Sequence, residues 1–175
     1  MAEVSTPLHT DQVADLLQAA LEAIRAEVAA LPPPVLRWHP RPGEWCVKEV
    51  IGHLIEAEQR GFAGRIHIIL DARDPQLQAW DQPAVARERH DCERDGQELL
   101  AEFTRLRESG ITLVRGLDAS DLARGGHHPK VGYLRVGDLL HEWVHHDRNH
   151  MKQMLANVQD FAWPNLGNAQ KFAGE

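Results

Sequence analysis

The sequence predicts an all-α protein, a four-helix bundle, from two observations. Proline and glycine divide its 175 residues into four long segments in which apolar residues recur every three or four positions, the period of an amphipathic helix. No segment shows the alternation of a half-buried strand. Four amphipathic helices bury their apolar faces most simply against one another, so a single domain spanning residues 1–175 is expected.

The first two helices are predicted at about 8–30 and 45–70. The apolar stripe of the first consists of Val13, Leu17, Leu21, Ile24 and Val28, and that of the second consists of Val47, Val50, Ile51, Leu54, Phe62 and Ile69. Three prolines at 32–34 end the first helix, because proline lacks an amide hydrogen and clashes with the preceding turn. Asp74-Pro75 marks the end of the second.

The third and fourth helices are predicted at about 87–117 and 135–158. The third has an inward set at alternating steps of four and three, as in coiled-coil packing: Cys92, Gly96, Leu99, Phe103, Leu106, Gly110, Leu113 and Leu117. The stripe of the fourth is Val136, Leu139, Leu140, Trp143, Met154 and Val158. Trp163-Pro164 ends this helix, and the tail beyond is expected to be loosely held.

Composition and charge argue against several classes of function. A formal net charge of −7 with no basic block argues against nucleic acid or an anionic membrane as the main partner. No window approaches the roughly 20 apolar residues of a membrane helix, and a cytoplasmic location is expected. Cys46 and Cys92 lie far apart in the chain, so neither a disulfide framework nor a cysteine-based zinc site is predicted, and Cys92 is expected to be a packed thiol.

Histidine is concentrated in the fourth helix, which has two pairs at a spacing of four residues. Either pair could chelate a metal from one helix face. With the first stripe residue at zero, His146 and His150 fall at about 280° and 320°, beside the apolar stripe. His141 and His145 fall at about 140° and 180°, facing outward. The helical register therefore favours the second pair as metal ligands.

The outward pair belongs to residues 141–145, HEWVH, which match the H-E-x-x-H motif of zinc peptidases. In that motif the glutamate is the general base. The longer metzincin form needs glycine and histidine where Arg148 and Met151 stand, and no strand-rich lobe is predicted. A peptidase is therefore disfavoured.

A catalytic metal site needs a third ligand from another helix. His53 on the second helix flanks the apolar stripe, and Ala57, Gly61 and Gly64 along its side leave room for a metal or ligand. The alternative for each histidine is a solvated or hydrogen-bonded side chain. The pattern favours a metal site.

Two stretches resemble the second- and fourth-helix signatures of the DinB/YfiT-like superfamily: residues 44–58, EWCVKEVIGHLIEAE, and residues 146–153, HDRNHMKQ. The resemblance extends from the first helix to about Gln159. It implies an up-down-down-up bundle, frequent homodimers, and a divalent transition metal bound by His53, His146 and His150. Nickel or zinc is expected, and iron or manganese also suits three imidazoles.

Some members of that superfamily are thiol-dependent S-transferases or mycothiol-dependent maleylpyruvate isomerases. The resemblance therefore favours transfer of a low-molecular-weight thiol to a small-molecule substrate, with the metal holding the thiolate. One alternative is a hydrolase, in which the metal lowers the pKa of water. Another is a non-catalytic metal-binding or dimerisation module. No further cofactor is predicted.

Glu58 and Asp147 are weak candidates for a general base, because both fall near 20° on the core side of their helices. A buried carboxylate needs a partner, so the alternative is an ion pair between helices, with Arg65, or a hydrogen bond to a ligand imidazole.

Three tryptophans, Trp38, Trp45 and Trp80, are expected to cover the ends of the bundle, with a pocket wall as the alternative. His127 and His128 lie in a glycine-rich loop before the fourth helix, where exposure to solvent is expected.

Overall fold

Four long helical segments form the predicted bundle in the computed structural model, which describes residues 6–172. The helices are α1 (Thr10–Ala30), α2 (Pro33–Leu36), α3 (Val47–Glu56), α4 (Ala63–Asp71), α5 (Gln82–Arg89), α6 (Gly96–Arg115), α7 (Ala119–Ala123) and α8 (Val136–Ala162). The strands are β1 (Gly125–His128) and β2 (Gly132–Arg135). Across the described range 6–172, no helix has both the length and the apolarity that crossing a bilayer requires.

Side-chain contacts fix the directions of the four long segments. Arg115 near the end of α6 pairs with an aspartate in the first half of α1, so these helices are antiparallel. The amide of Leu8, just before α1, donates to His141 near the start of α8, so α1 and α8 are parallel. Asn157 late in α8 donates to the carbonyl of Trp45, just before α3, so α3 and α8 are antiparallel. The order is therefore up-down-down-up, as the resemblance implies.

Two apolar clusters fill the bundle, one above the other along its axis. In the first, the rings of Phe62 and Trp143 stack with centroids 5.1 Å apart. The second is built around Leu54, Phe103 and Met154. Both clusters draw on the predicted stripes, so the hydrophobic burial that stabilises the fold follows the helical period.

The second helix is interrupted by a π-helical turn, Ala57–Gly61, which separates α3 from α4. The amide of Phe62 donates to the carbonyl of Ala57 at 2.8 Å, five residues back, so the turn holds one residue more than an α-helical turn. Gly64 is required just beyond it, because a Cβ there would overlap the carbonyl oxygen of Gln59. The prediction of one continuous α-helix over 45–70 is wrong at this point.

The third helix is also discontinuous, contrary to the prediction of one helix over 87–117. α5 ends at Arg89, His90 takes a left-handed conformation with a φ of +51°, and a 3-10 turn, Asp91–Glu93, follows. Asp95 then caps α6 by accepting hydrogen bonds from the amides of Gln97 and Glu98. Aspartate is more favourable at an N-cap than inside a helix, which explains why the chain restarts there.

A short antiparallel hairpin, β1 and β2, precedes α8, although the sequence analysis predicted no strand. Its strands are too short for an alternating pattern to be recognised. Residues 75–77 support the hairpin. The amide of His127 donates a hydrogen bond to the carbonyl of Pro75, and the carbonyl of His127 accepts one from the amide of Leu77. His127 is exposed as expected, but the expectation for His128 is wrong, because the hairpin buries all but 8% of it.

Candidate metal centre

The structure brings the three predicted ligands together between α3 and α8. Nε2 of His53 lies 3.0 Å from Nε2 of His146, and one ring nitrogen from each of His53, His146 and His150 lies within 4.8 Å of the others. His146 and His150 lie one helical turn apart on α8, on the face that meets α3. His53 is almost fully buried and the other two are half-buried.

Burial keeps the three imidazoles neutral. Desolvation, with a smaller repulsion from His150, lowers the pKa of His53 to about 4. Desolvation and the neighbouring His150 and His53 lower the pKa of His146 to about 3. Burial also lowers the pKa of His150, and the hydrogen bond that His150 donates to Gln153 opposes this shift. Neutral imidazoles carry the lone pairs that a borderline divalent metal requires, so this donor set fits such an ion.

The metal-free protein should lose stability as the pH falls from about 6.5 toward 4. In that window the unfolded chain binds more protons than the folded chain, because the folded pKa values of His53 and His146 are lowered to about 4 and about 3. Urea unfolding of chelator-treated protein at several pH values gives the slope of the free energy of unfolding against pH. The double variant His53→Ala/His146→Ala should have a shallower slope, and equal slopes for the two proteins would contradict the assignment.

Gln153 orients one of the three rings. Nδ1 of His150 donates to Oε1 of Gln153 at 3.0 Å, which leaves Nε2 of His150 free to face the other two imidazoles. Sequence reasoning alone assigns no role to Gln153. The feature that could have indicated a role is the position of Gln153, three residues after His150, because this spacing places both side chains on one face of the helix.

Replacing Gln153 with leucine should weaken metal binding by roughly 10- to 100-fold, because His150 loses the partner that fixes its tautomer and orientation. A competition titration with a chromogenic chelator measures the affinity. Gln159→Leu is the matched control, since Gln159 is exposed on the same helix and should leave the affinity unchanged. Equal affinities for the two variants would exclude an orienting role.

Two tryptophans form walls of the centre. The ring of Trp45 lies 5.0 Å from that of His53 and 6.5 Å from that of His150, and Trp80 stacks on His53 at 6.0 Å. Their interpretation as covers of the bundle end is therefore replaced by the alternative, a pocket wall. Trp38 packs edge-on against Phe161 at 5.5 Å, outside this group.

Open clefts reach both tryptophan walls. A cleft of about 490 Å³ is lined by Trp45 and Gln153 among others. A second, of about 320 Å³, is lined by Trp80, Arg65 and Lys130 among others. A small molecule in either cleft would lie beside the walls of the imidazole group.

Glu58 and Asp147 lie in a buried ion-pair group with Arg107. Arg107 donates to Glu58 at 2.6 Å and to Asp147 at 2.6 Å, and the indole of Trp143 donates to Glu58 at 2.9 Å. All three charged side chains are at most 1% exposed. The structure therefore shows the ion-pair alternative, but the partner is Arg107 and not Arg65.

Burial and the opposite charges inside this group shift the pKa values of Glu58 and Arg107. Burial raises the pKa of Glu58, with Arg107 opposing the shift. Burial acts against the charge of Arg107, yet the two carboxylates outweigh it and hold its pKa above the usual value. The sequence analysis missed Arg107, although it lies four residues after Phe103 and three before Gly110, on the inward seam of the third helix.

The H-E-x-x-H pair stays outside the centre, as its register predicts. His141 and His145 are both exposed. His141 donates to the carbonyl of Gly137 and accepts from the amide of Leu8, which joins the starts of two helices. Among residues 6–172, no third potential ligand lies close enough to complete a metal site with this pair.

The chain is similar to known proteins over most of its length. A family model described as the DinB superfamily matches residues 16–154, a range that includes all three clustered histidines. The chain belongs to the DinB superfamily. A protein of Oceanobacillus iheyensis named "Putative metal-dependent hydrolase" is 23% identical over 123 residues, 70% of each chain.

A solved structure shares the fold of this DinB-superfamily chain. It is YfiT from Bacillus subtilis, described as "a probable metal-dependent hydrolase with an unusual four-helix bundle topology". The two structures superpose with a TM-score of 0.81 over 93% of each chain, at 20% sequence identity. This likeness supports the bundle and its topology.

Proposed function

We propose that this DinB-superfamily protein is a metal-dependent hydrolase of a small molecule, with His53, His146 and His150 as the metal ligands. The observation that carries the proposal is the convergence of three neutral imidazoles between two helices. The family resemblance of the sequence favours thiol transfer instead. The comparisons favour its hydrolase alternative, because both relatives are described as metal-dependent hydrolases and neither description mentions a thiol.

The chemistry follows from the ligand set. His53, His146 and His150 would hold the divalent ion, which would supply Lewis acidity toward water and toward a carbonyl or phosphoryl group of the substrate. Gln153 fixes the ring of His150, and the ring of Phe62 packs against His146 at a centroid distance of 5.2 Å. These contacts hold the ligands in one arrangement and exclude water from the buried side of the site.

Neither predicted carboxylate receives a proton-transfer role in this proposal. Glu58 and Asp147 are committed to Arg107 and are almost completely shielded from solvent. Through Arg107 of α6, they hold the π-helical turn after α3 and α8 together near the ligands.

The cleft beside Trp80 suggests the kind of substrate. Arg65 and Lys130 line it together with Glu142, which leaves it one net positive charge in a protein whose net charge is −7. The indole of Trp80 offers an apolar face beside His53. A small molecule with a planar apolar part and an anionic group fits this combination.

A reconstitution assay tests the hydrolase. Protein stripped with a chelator and reloaded with zinc, nickel, manganese or iron would be offered esters, amides and phosphoesters, each with and without a carboxylate. We expect hydrolysis only with metal, and faster for the anionic member of a pair. Metal-loaded protein that cleaves nothing in the panel would contradict the proposal and favour a non-catalytic metal-binding module. Conjugation of a thiol without hydrolysis would favour the transferase.

A further inference from the structure

The two cysteines meet at the start of α3, although the sequence analysis predicted no pair. Sγ of Cys46, the residue before α3, lies 3.0 Å from Sγ of Cys92 in the 3-10 turn. Cys92 lies at the break in the third helix, in the 3-10 turn, which packs against α3. Gly52 permits the approach, because a Cβ there would overlap the carboxylate of Asp91.

Two further potential ligands join the cysteines. Nε2 of His39, in the loop after α2, lies 2.9 Å from Oε2 of Glu49 in the first turn of α3. One donor atom from each of His39, Cys46, Glu49 and Cys92 lies within 4.8 Å of the other three. The same Glu49 oxygen accepts the amide of Cys46 at 2.8 Å, which fixes the carboxylate beside the sulfur atoms.

The donor set has the composition of a tetrahedral zinc site. Zinc lies about 2.3 Å from thiolate sulfur and about 2.0–2.2 Å from imidazole nitrogen or carboxylate oxygen, so its ligand atoms are roughly 3.3–3.8 Å apart. The separations in this cluster, from 2.9 Å upward and all within 4.8 Å, need only small side-chain adjustments to match. Four protein ligands leave no open position, which is typical of a structural site.

A disulfide is the competing explanation for the short distance between the sulfur atoms. It would account for Cys46 and Cys92 but not for His39 and Glu49, which converge on the same point from a separate loop and from the helix. The mixed donor set therefore favours a metal over a disulfide.

We propose that His39, Cys46, Glu49 and Cys92 bind a second divalent ion, zinc, in a structural site separate from the three-histidine centre. The ion would join the loop that carries Trp45 and the turn that carries Cys92 to the start of α3. Because Trp45 is a wall of the histidine centre, the second ion would hold that wall in place.

Cobalt substitution tests this site without any assay of activity. Reduced protein loaded with Co²⁺ should show the thiolate-to-cobalt charge-transfer band in the near ultraviolet, which a site of histidines alone cannot give. The band should persist in His53→Ala/His146→Ala protein, weaken in Cys92→Ser protein and disappear when Cys46 and Cys92 are both replaced by serine. Mass spectrometry should find one equivalent of zinc fewer in Cys92→Ser than in the parent protein.

Matched variants keep the test independent of folding. His39→Ala changes an exposed ligand and should weaken the band, whereas His67→Ala changes an exposed histidine on α4 and should not. Absence of a charge-transfer band in reduced, cobalt-loaded parent protein would overturn the proposal. So would parent protein in which both cysteines become titratable only after a reductant, and not after a chelator, since that result identifies a disulfide.

Discussion

Replacing His146 with alanine should remove the metal from the three-histidine centre and abolish hydrolysis. The imidazole of His146 contributes one of three neutral nitrogens, and its Nε2 is 3.0 Å from that of His53. Loss of a group that merely orients a ligand weakens metal binding by roughly 10- to 100-fold, so loss of a ligand should exceed that range. Equilibrium dialysis with zinc measures the affinity, and turnover of the substrate identified in the reconstitution assay measures the activity.

His145→Ala is the control, because His145 precedes His146 directly but is exposed on the opposite side of α8. It should bind metal and turn over substrate as the parent protein does. The reverse result, with metal lost from His145→Ala and kept in His146→Ala, would place the centre in the H-E-x-x-H motif and make a peptidase the better hypothesis. Circular dichroism of both variants would show that the bundle is intact.

Replacing Arg107 with methionine should destabilise the protein by about 3–5 kcal/mol, the usual cost of removing one partner from a buried ion pair. Methionine fills much of the volume of the arginine stem but leaves Glu58 and Asp147 as buried carboxylates without their cation. Urea unfolding near pH 7, in the presence of chelator, measures the free energy of unfolding without a contribution from metal binding.

Arg105→Met is the matched control for this experiment. Arg105 is exposed on the same helix, so its replacement should change the free energy of unfolding by no more than about 0.5 kcal/mol. Adding Glu58→Gln and Asp147→Asn to the Arg107→Met variant should restore part of the loss, since no uncompensated charge then stays buried. A loss below about 1 kcal/mol for Arg107→Met would show that this group is not a main source of stability.

Much of the fold and the histidine grouping could be predicted because both depend on the period of the α-helix. Val136 and Trp143 define the inward face of α8, and the same period places His146 and His150 beside that face and His145 away from it. For His53 the same period gave only a place beside the apolar stripe of the second helix, and the family resemblance gave the stronger reason, because contacts between helices leave no periodic signal in one sequence.

The missed features depend on tertiary contacts. Nothing in the sequence near Arg107 indicates that it meets Glu58 and Asp147, which come from other segments of the chain. Arginine is mostly an exposed residue, so a partly exposed side chain beside the apolar face is the usual expectation. Likewise, Cys92 meets Cys46 from a 3-10 turn that follows His90, where a non-glycine residue takes a left-handed conformation that helical periodicity cannot predict.

The π-helical turn between α3 and α4 affects how this chain should be aligned with its relatives. The additional residue at Ala57–Gly61 changes the phase of everything that follows, including Phe62, which packs against His146. A homologue with an uninterrupted helix would need its aromatic residue one position nearer to the histidine that corresponds to His53. An alignment without a gap in this segment would then pair residues from different faces of the helix. An aromatic residue that occupies the same place beside the histidines in both proteins would then be aligned with an unrelated residue.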